Sequence, residues 1–172
     1  MKYLLTLLSL AVSIYANAQV NIEFGKADST SNQPTLIAIP DSRGFVNDRA
    51  RTFTSDESKK IIAYMKLQKM DSSQVTVLTV NKLSPFNSLE DLATQYANLW
   101  KLGGDKKNGV MLIFSKELKK SRVQVGEALA SKFTPEVLKS IDSVMIPEFV
   151  KGDYFTGTMN ALKKINEQLK KK

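Results

Sequence analysis

The stretch that decides the fold runs Leu92-Ala93-Thr94-Gln95-Tyr96-Ala97-Asn98-Leu99-Trp100, then Lys101-Leu102-Gly103-Gly104-Asp105-Lys106-Lys107, then Asn108-Gly109 and Val110-Met111-Leu112-Ile113-Phe114. Leu89, Leu92, Ala93, Tyr96, Ala97 and Trp100 recur at i, i+3, i+4, i+7, i+8 and i+11, a single apolar stripe that predicts a helix opened by Ser88-Leu89-Glu90-Asp91. Five consecutive apolar residues from Val110 to Phe114 fit a central strand covered on both faces. Upstream, Gln74 to Val80 is rich in β-branched residues and predicts a parallel partner, joined through the helix by a right-handed crossover. Downstream, Arg122-Val123-Gln124-Val125-Gly126 alternates, which predicts an antiparallel neighbour with Val123 and Val125 inward and Arg122 and Gln124 outward.

Working outward, Thr54-Ser55-Asp56-Glu57 is a capping box, and the helix behind it buries Ile61, Ile62 and Met65 before Asp71-Ser72-Ser73 ends it. Thr134-Pro135 starts a helix with proline at its first position. A last helix opens near Asp153, with Phe155, Met159, Leu162, Ile165 and Leu169 on one side. The expected fold class is α/β: a three-layer α/β/α sandwich over a small mixed sheet, with a parallel βαβ core and an antiparallel edge strand. Thr35 to Ile39 is either a first edge strand or an extended lead-in, stopped by Pro40.

The N-terminus reads as an export signal. Lys2 is followed by a mostly apolar run from Tyr3 to Tyr15 and by the small-x-small sequence Ala16-Asn17-Ala18. We therefore expect a signal peptide over residues 1–18, a polar spacer over 19–34 and one domain over 35–172, the product being periplasmic or secreted. The apolar run is shorter than the roughly 20 residues a membrane-spanning helix needs. The chain stops at Lys172 without a later apolar segment, which predicts a soluble product after cleavage.

Composition restricts the chemistry. The chain has no cysteine and no histidine, so thiol nucleophiles, thiolate metal sites, imidazole bases and Ser-His-Asp triads are excluded. Carboxylates, lysine, tyrosine, hydroxyls or a metal held by oxygen remain. The net charge is +8, one unit of it from Lys2, and lysines crowd between Lys101 and Lys139 and at the C-terminus. That balance favours an envelope protein or an anionic group as partner, or serves only as a solvated, solubilising face. Nucleic acid is not expected for an exported chain. Gly103-Gly104 ahead of Asp105-Lys106-Lys107 lacks the spacing of a phosphate loop and precedes a strand instead of a helix. Trp100 and Tyr96 lie on the apolar stripe and read as core before they read as a ligand platform.

Taken in order, Val46-Asn47-Asp48, Trp100, Gly103, Asn108-Gly109-Val110, Pro147 with Phe149, and Gly152-Asp153-Tyr154 resemble the TPM domain family over roughly Pro40 to Leu169. That family includes lumenal and periplasmic proteins, some binding calcium-like ions and some with acid phosphatase activity. The resemblance implies an acidic ion site in the loops, and this chain departs from it there. Lys107 stands for the aspartate before Asn-Gly, Ala130 for the glutamate of a Gly-Tyr-Gly-Leu-Glu run, and Thr134-Pro135 for a further aspartate. The remaining metal candidates are Asp48, Asp105 and Glu127, for a weak Ca²⁺ or Mg²⁺ site. Each has a plainer alternative: a turn-forming carboxylate at Asp48, a solvated loop charge at Asp105, and a helix-start carboxylate at Glu127. Two functions follow, a non-catalytic binding or assembly module of the cell envelope and a metal-dependent acid phosphatase. No catalytic residue is assigned.

Overall fold

The computed structural model describes residues 39–70 and 74–171. The predicted leader, the spacer, the lead-in up to residue 38 and the expected helix stop at Asp71-Ser72-Ser73 lie outside the described residues. The sheet has four strands in the order β1 (Val46–Asp48), β2 (Val75–Thr79), β3 (Val110–Ser115) and β4 (Lys120–Val125). β1, β2 and β3 are parallel and β4 runs antiparallel to β3, with Val77 level with Leu112 and Leu112 level with Val123. Four α-helices complete the fold: α1 (Ser55–Leu67), α2 (Leu89–Leu99), α3 (Pro135–Val150) and α4 (Tyr154–Lys170).

Strand alternation sorts the core into two layers. Val75, Val77, Val110, Leu112, Phe114 and Val123 meet Ile61 and Met65 of α1, Ile141 and Met145 of α3, and Leu162 and Ile165 of α4. On the other face Leu78, Met111 and Ile113 meet Leu89, Leu92, Ala93 and Tyr96 of α2. All six residues of β3 are buried, so both faces of this strand are removed from water. Each large apolar side chain buried in this way contributes about 1.5–3 kcal/mol. The face of β4 carrying Arg122 and Gln124 is not simply open to solvent. It lies beside α2, where the Arg122 guanidinium donates to Gln124 Oε1 at 3.0 Å and to Glu90 Oε1 at 2.9 Å.

The sequence signals for the helix starts act as expected. Thr54 Oγ1 accepts from the Glu57 amide while Glu57 accepts from the Thr54 amide. Ser88 and Asp153 accept from the amides of Asp91 and Thr156. α1 ends at Leu67, and Lys69 then adopts a left-handed φ of 56°. Ile62 is half-buried, whereas Ile61 and Met65 are fully enclosed.

The crossovers β1-α1-β2 and β2-α2-β3 step the same way across the sheet. Because α1 and α2 cover opposite faces, the two crossovers must be of opposite hand, and the right-handed preference holds for only one of them. α3 and α4 form an antiparallel hairpin turned by Gly152, whose φ is +85°. Inside it Gly157 carries a close approach: a Cβ there would lie 2.5 Å from the Phe149 ring and 2.9 Å from the Met145 carbonyl oxygen. We expect Gly157→Ala to lower stability by about 1–3 kcal/mol despite its better helix propensity, because the ring and backbone must shift. Urea unfolding of the two proteins measures this; an unchanged or raised midpoint would contradict the packing described.

Candidate functional site

The loop between α2 and β3 folds back onto the far end of β4. Trp100 closes α2, and Gly103 turns the chain with φ +80°. Gly126 has no side chain to resist the loop: a Cβ there would lie 2.2 Å from the Lys107 carbonyl oxygen. The Gly126 amide donates to the Gly109 carbonyl at 2.7 Å, and the Ala128 amide to the Lys107 carbonyl at 3.2 Å. Lys107 itself sits at a φ of 49°, and a short 3₁₀ turn, Glu127–Leu129, begins just beyond Gly126. The two side chains therefore face each other, with Lys107 Nζ 2.9 Å from Glu127 Oε2.

Around this pair lies a cleft of about 480 Å³, lined among others by Asn98, Lys101, Asp105, Gln124 and Glu127. Lys101, Asp105, Lys107 and Glu127 are its charged lining residues, and Lys107 and Glu127 perturb each other. The hydrogen bond and charge of Glu127 raise the Lys107 ammonium above its ordinary value, and Lys107 lowers Glu127 by the same means. The side chains are 68% and 79% exposed, so solvent screens the pair and it adds little to folding. Its consequence is local: the ammonium occupies the carboxylate that a cation would need.

Asp48 lies elsewhere. It is level with Thr79, and Thr79 with Phe114, at the carboxyl ends of β1, β2 and β3. The Lys107–Glu127 cleft is at the amino end of β3, the whole strand away, on the order of 13 Å along its axis. The Asp48 carboxylate accepts from the Thr52 amide at 2.8 Å, from the Phe53 amide at 2.9 Å and from the Thr79 hydroxyl. Thr79 Oγ1 in turn accepts from the Ala50 amide at 3.1 Å. The carboxylate thus ties the chain leaving β1 to the end of β2.

The structure brings Asp105 and Glu127 to one cleft and does not bring Asp48 to it. Asp105 is exposed within the 3₁₀ turn Gly104–Lys106. Among the described residues no group of three or more acidic side chains is placed to hold a metal ion. A calcium-like ion takes six to eight oxygens, several of them charged. Two exposed carboxylates, one bonded to an ammonium, do not fit that requirement. Trp100, read as core, is half-buried; its ring meets Tyr96 edge-on at 5.0 Å and its Nε1 donates to the Pro40 carbonyl at 2.9 Å. It fastens the segment before β1 against α2. Lys107 as a ligand for Glu127 is the feature that sequence reasoning missed, and the glycine at 126 was its only local signal.

These elements define a class: a small α/β/α sandwich with a mixed four-stranded sheet and a glycine-framed cleft at the amino end of its central strand. The chain belongs to the TPM domain family, whose model matches residues 46–168. Three solved structures share the fold. The N-terminal domain of a protein from P.gingivalis is 20% identical, with a TM-score of 0.61 over 72% of this chain and 80% of that one. BA42 from the psychrophilic bacterium Bizionia argentinensis is 15% identical, with a TM-score of 0.58 over 68% and 81%. The N-terminal domain of cg2496 from Corynebacterium glutamicum is 14% identical, with a TM-score of 0.57 over 80% and 84%. No curated protein matches the chain.

Three substitutions separate the roles of Asp48 and Glu127. Asp48→Ala should cost about 2–4 kcal/mol by leaving backbone amides and the Thr79 hydroxyl without their acceptor. Asp48→Asn should cost less, since its Oδ1 still accepts; equal stabilities for all three proteins in urea would contradict the clamp. For Glu127, a carboxyl held below its ordinary value stabilises the pair at neutral pH and loses that contribution as pH falls through the lowered value. A carbon-detected NMR titration should place the Glu127 midpoint below that of a free glutamate, and Lys107→Ala should move it upward. A midpoint unmoved by Lys107→Ala would remove the ion pair.

Proposed function

We propose that this TPM domain is an exported, non-catalytic binding or assembly module of the cell envelope, with a degenerate cation site. The observation that carries the reading is the Lys107 ammonium bonded to Glu127 at 2.9 Å, at the place where the family resemblance implies an aspartate. An acid phosphatase built on a metal needs a dication to polarise the phosphoryl oxygens. A lysine in the ligand shell repels that ion and competes for the remaining carboxylate. With no histidine or cysteine in the chain, imidazole bases and thiol nucleophiles are not available to such a reaction. Asp48, the acid that stands at the matching position of the family pattern, has its oxygens engaged in holding the β1 exit.

Export rests on the leader-like residues 1–18. No helix among the described residues is long and apolar enough to cross a membrane. The lysine-rich loops, on a chain of net charge +8, suit an acidic partner.

Thermal unfolding with added calcium or magnesium tests the reading. The protein should melt at the same temperature with and without millimolar cation, because ligand that does not bind the native state cannot stabilise it. Lys107→Asp, which places a third carboxylate beside Asp105 and Glu127, should gain a cation-dependent rise of a few degrees. A rise of that size in the unsubstituted protein, with metal-dependent turnover of an aryl phosphate, would overturn the non-catalytic reading in favour of the phosphatase.

A further inference from the structure

We infer that the groove between the β3–β4 turn and the α3–α4 corner binds an acidic peptide segment of a partner protein, through one large apolar side chain of that segment. The inference rests on the binding-module reading and says where the partner docks. The groove encloses about 350 Å³, lined by Ile146, Phe149, Val150 and Tyr154 on the helical side and by Lys119 and Lys120 on the turn side. Its aromatic lining continues directly into the core. Phe149 and Tyr154 lie 5.1 Å apart, and both pack on the buried Phe114 ring, at 4.7 and 5.9 Å. These side chains are therefore held by the sheet and present a rigid surface.

Among the described residues, three of the five exposed large apolar side chains lie at this corner, the other two being Leu67 and Leu99 on α1 and α2. Val150 is 81% exposed, Ile146 39% and Leu118, in the adjoining turn, 38%. Exposed apolar groups gathered beside a recess and rimmed by polar residues mark an interaction surface more often than they occur by accident. The rim is cationic. Lys116, Lys119, Lys120 and Lys151 are all exposed, and Lys119 holds its turn with a φ of 50°. Lys151 is bonded to Glu148 at 3.0 Å. Among the described residues, Lys116, Lys119 and Lys120 have no carboxylate within ion-pair distance. The nearby acids are Glu117 in the turn itself, Glu148, and Asp153, whose carboxylate accepts from the Thr156 amide.

Charge complementarity selects the occupant. The two unpaired ammonium groups that line this apolar recess, Lys119 and Lys120, call for carboxylates flanking a leucine- or phenylalanine-sized side chain. The recess between the turn and the helical corner suits an apolar anchor entering from a peptide. Binding would bury Ile146 and Val150 and leave the Lys107–Glu127 cleft, at the other end of β3, untouched.

The test is an amide NMR titration of the ¹⁵N-labelled protein with a capped synthetic hexapeptide carrying two glutamates on each side of a Leu-Phe pair. Saturable shifts should map to residues 115–121 and 146–154. Val150→Asp and Lys120→Glu should each weaken binding by about tenfold or more, with melting temperature retained because both side chains are exposed. Replacing the Leu-Phe pair by alanines should abolish the shifts. Shifts confined to residues 101–107, or affinity indifferent to both substitutions, would overturn the groove as the docking site while leaving the module reading standing. Sedimentation with phosphatidylglycerol vesicles that is lost in the same variants, without peptide binding, would overturn the peptide in favour of a membrane surface. A cation-driven rise in melting temperature would instead strike at the module reading itself.

Discussion

Everything in this domain is organised by the burial of one strand. β3 is enclosed on both faces, Val110, Leu112 and Phe114 against α1, α3 and α4, and Met111 and Ile113 against α2. A strand buried on both faces cannot slip register without carrying each set of side chains to the wrong layer. Its two ends are consequently fixed points. The amino end positions the loop that brings Lys107 to Glu127. At the carboxyl end Phe114 supports Phe149 and Tyr154. The same constraint thus frames a polar cleft at one end and an apolar, cation-rimmed groove at the other.

The cleft shows how a small change at a fixed point alters what a fold can do. The approach of the loop to β4 depends on glycine at 126, and the residue delivered by that approach is Lys107. A carboxylate delivered by the same backbone would stand beside Asp105 and Glu127 and favour a cation. An ammonium delivered there instead forms an ion pair, lowers the Glu127 carboxyl and is itself raised. The pair is too exposed to contribute much to folding.

Much of the fold was legible because local and tertiary signals agreed. The stripe from Leu89 to Trp100, the apolar run at 110–114, the Thr54 capping box and the Asp153 cap each pointed to the element observed. What escaped the sequence was three-dimensional. Opposite hands for the two crossovers follow from which face α2 covers, and no local pattern encodes that. Arg122 and Gln124 alternate like solvent-facing residues yet lie beside α2, because a charged residue on a strand can satisfy itself with Glu90 across a helix. For the site, the type of residue at each family position was readable, but the distance between them was not. Asp48 and Glu127 are 79 positions apart in the chain and stand at opposite ends of the sheet, a separation that only the strand register reveals.

In the proposed reading, Lys107 takes the place of a cation at Glu127. The most direct test is a high-resolution crystal structure of the protein grown in millimolar calcium. The account predicts Lys107 Nζ in hydrogen-bond contact with Glu127 and no ion between Asp105 and Glu127. Oxygens of those two residues converging at roughly 2.3–2.6 Å on a calcium ion, with Lys107 turned away, would contradict it.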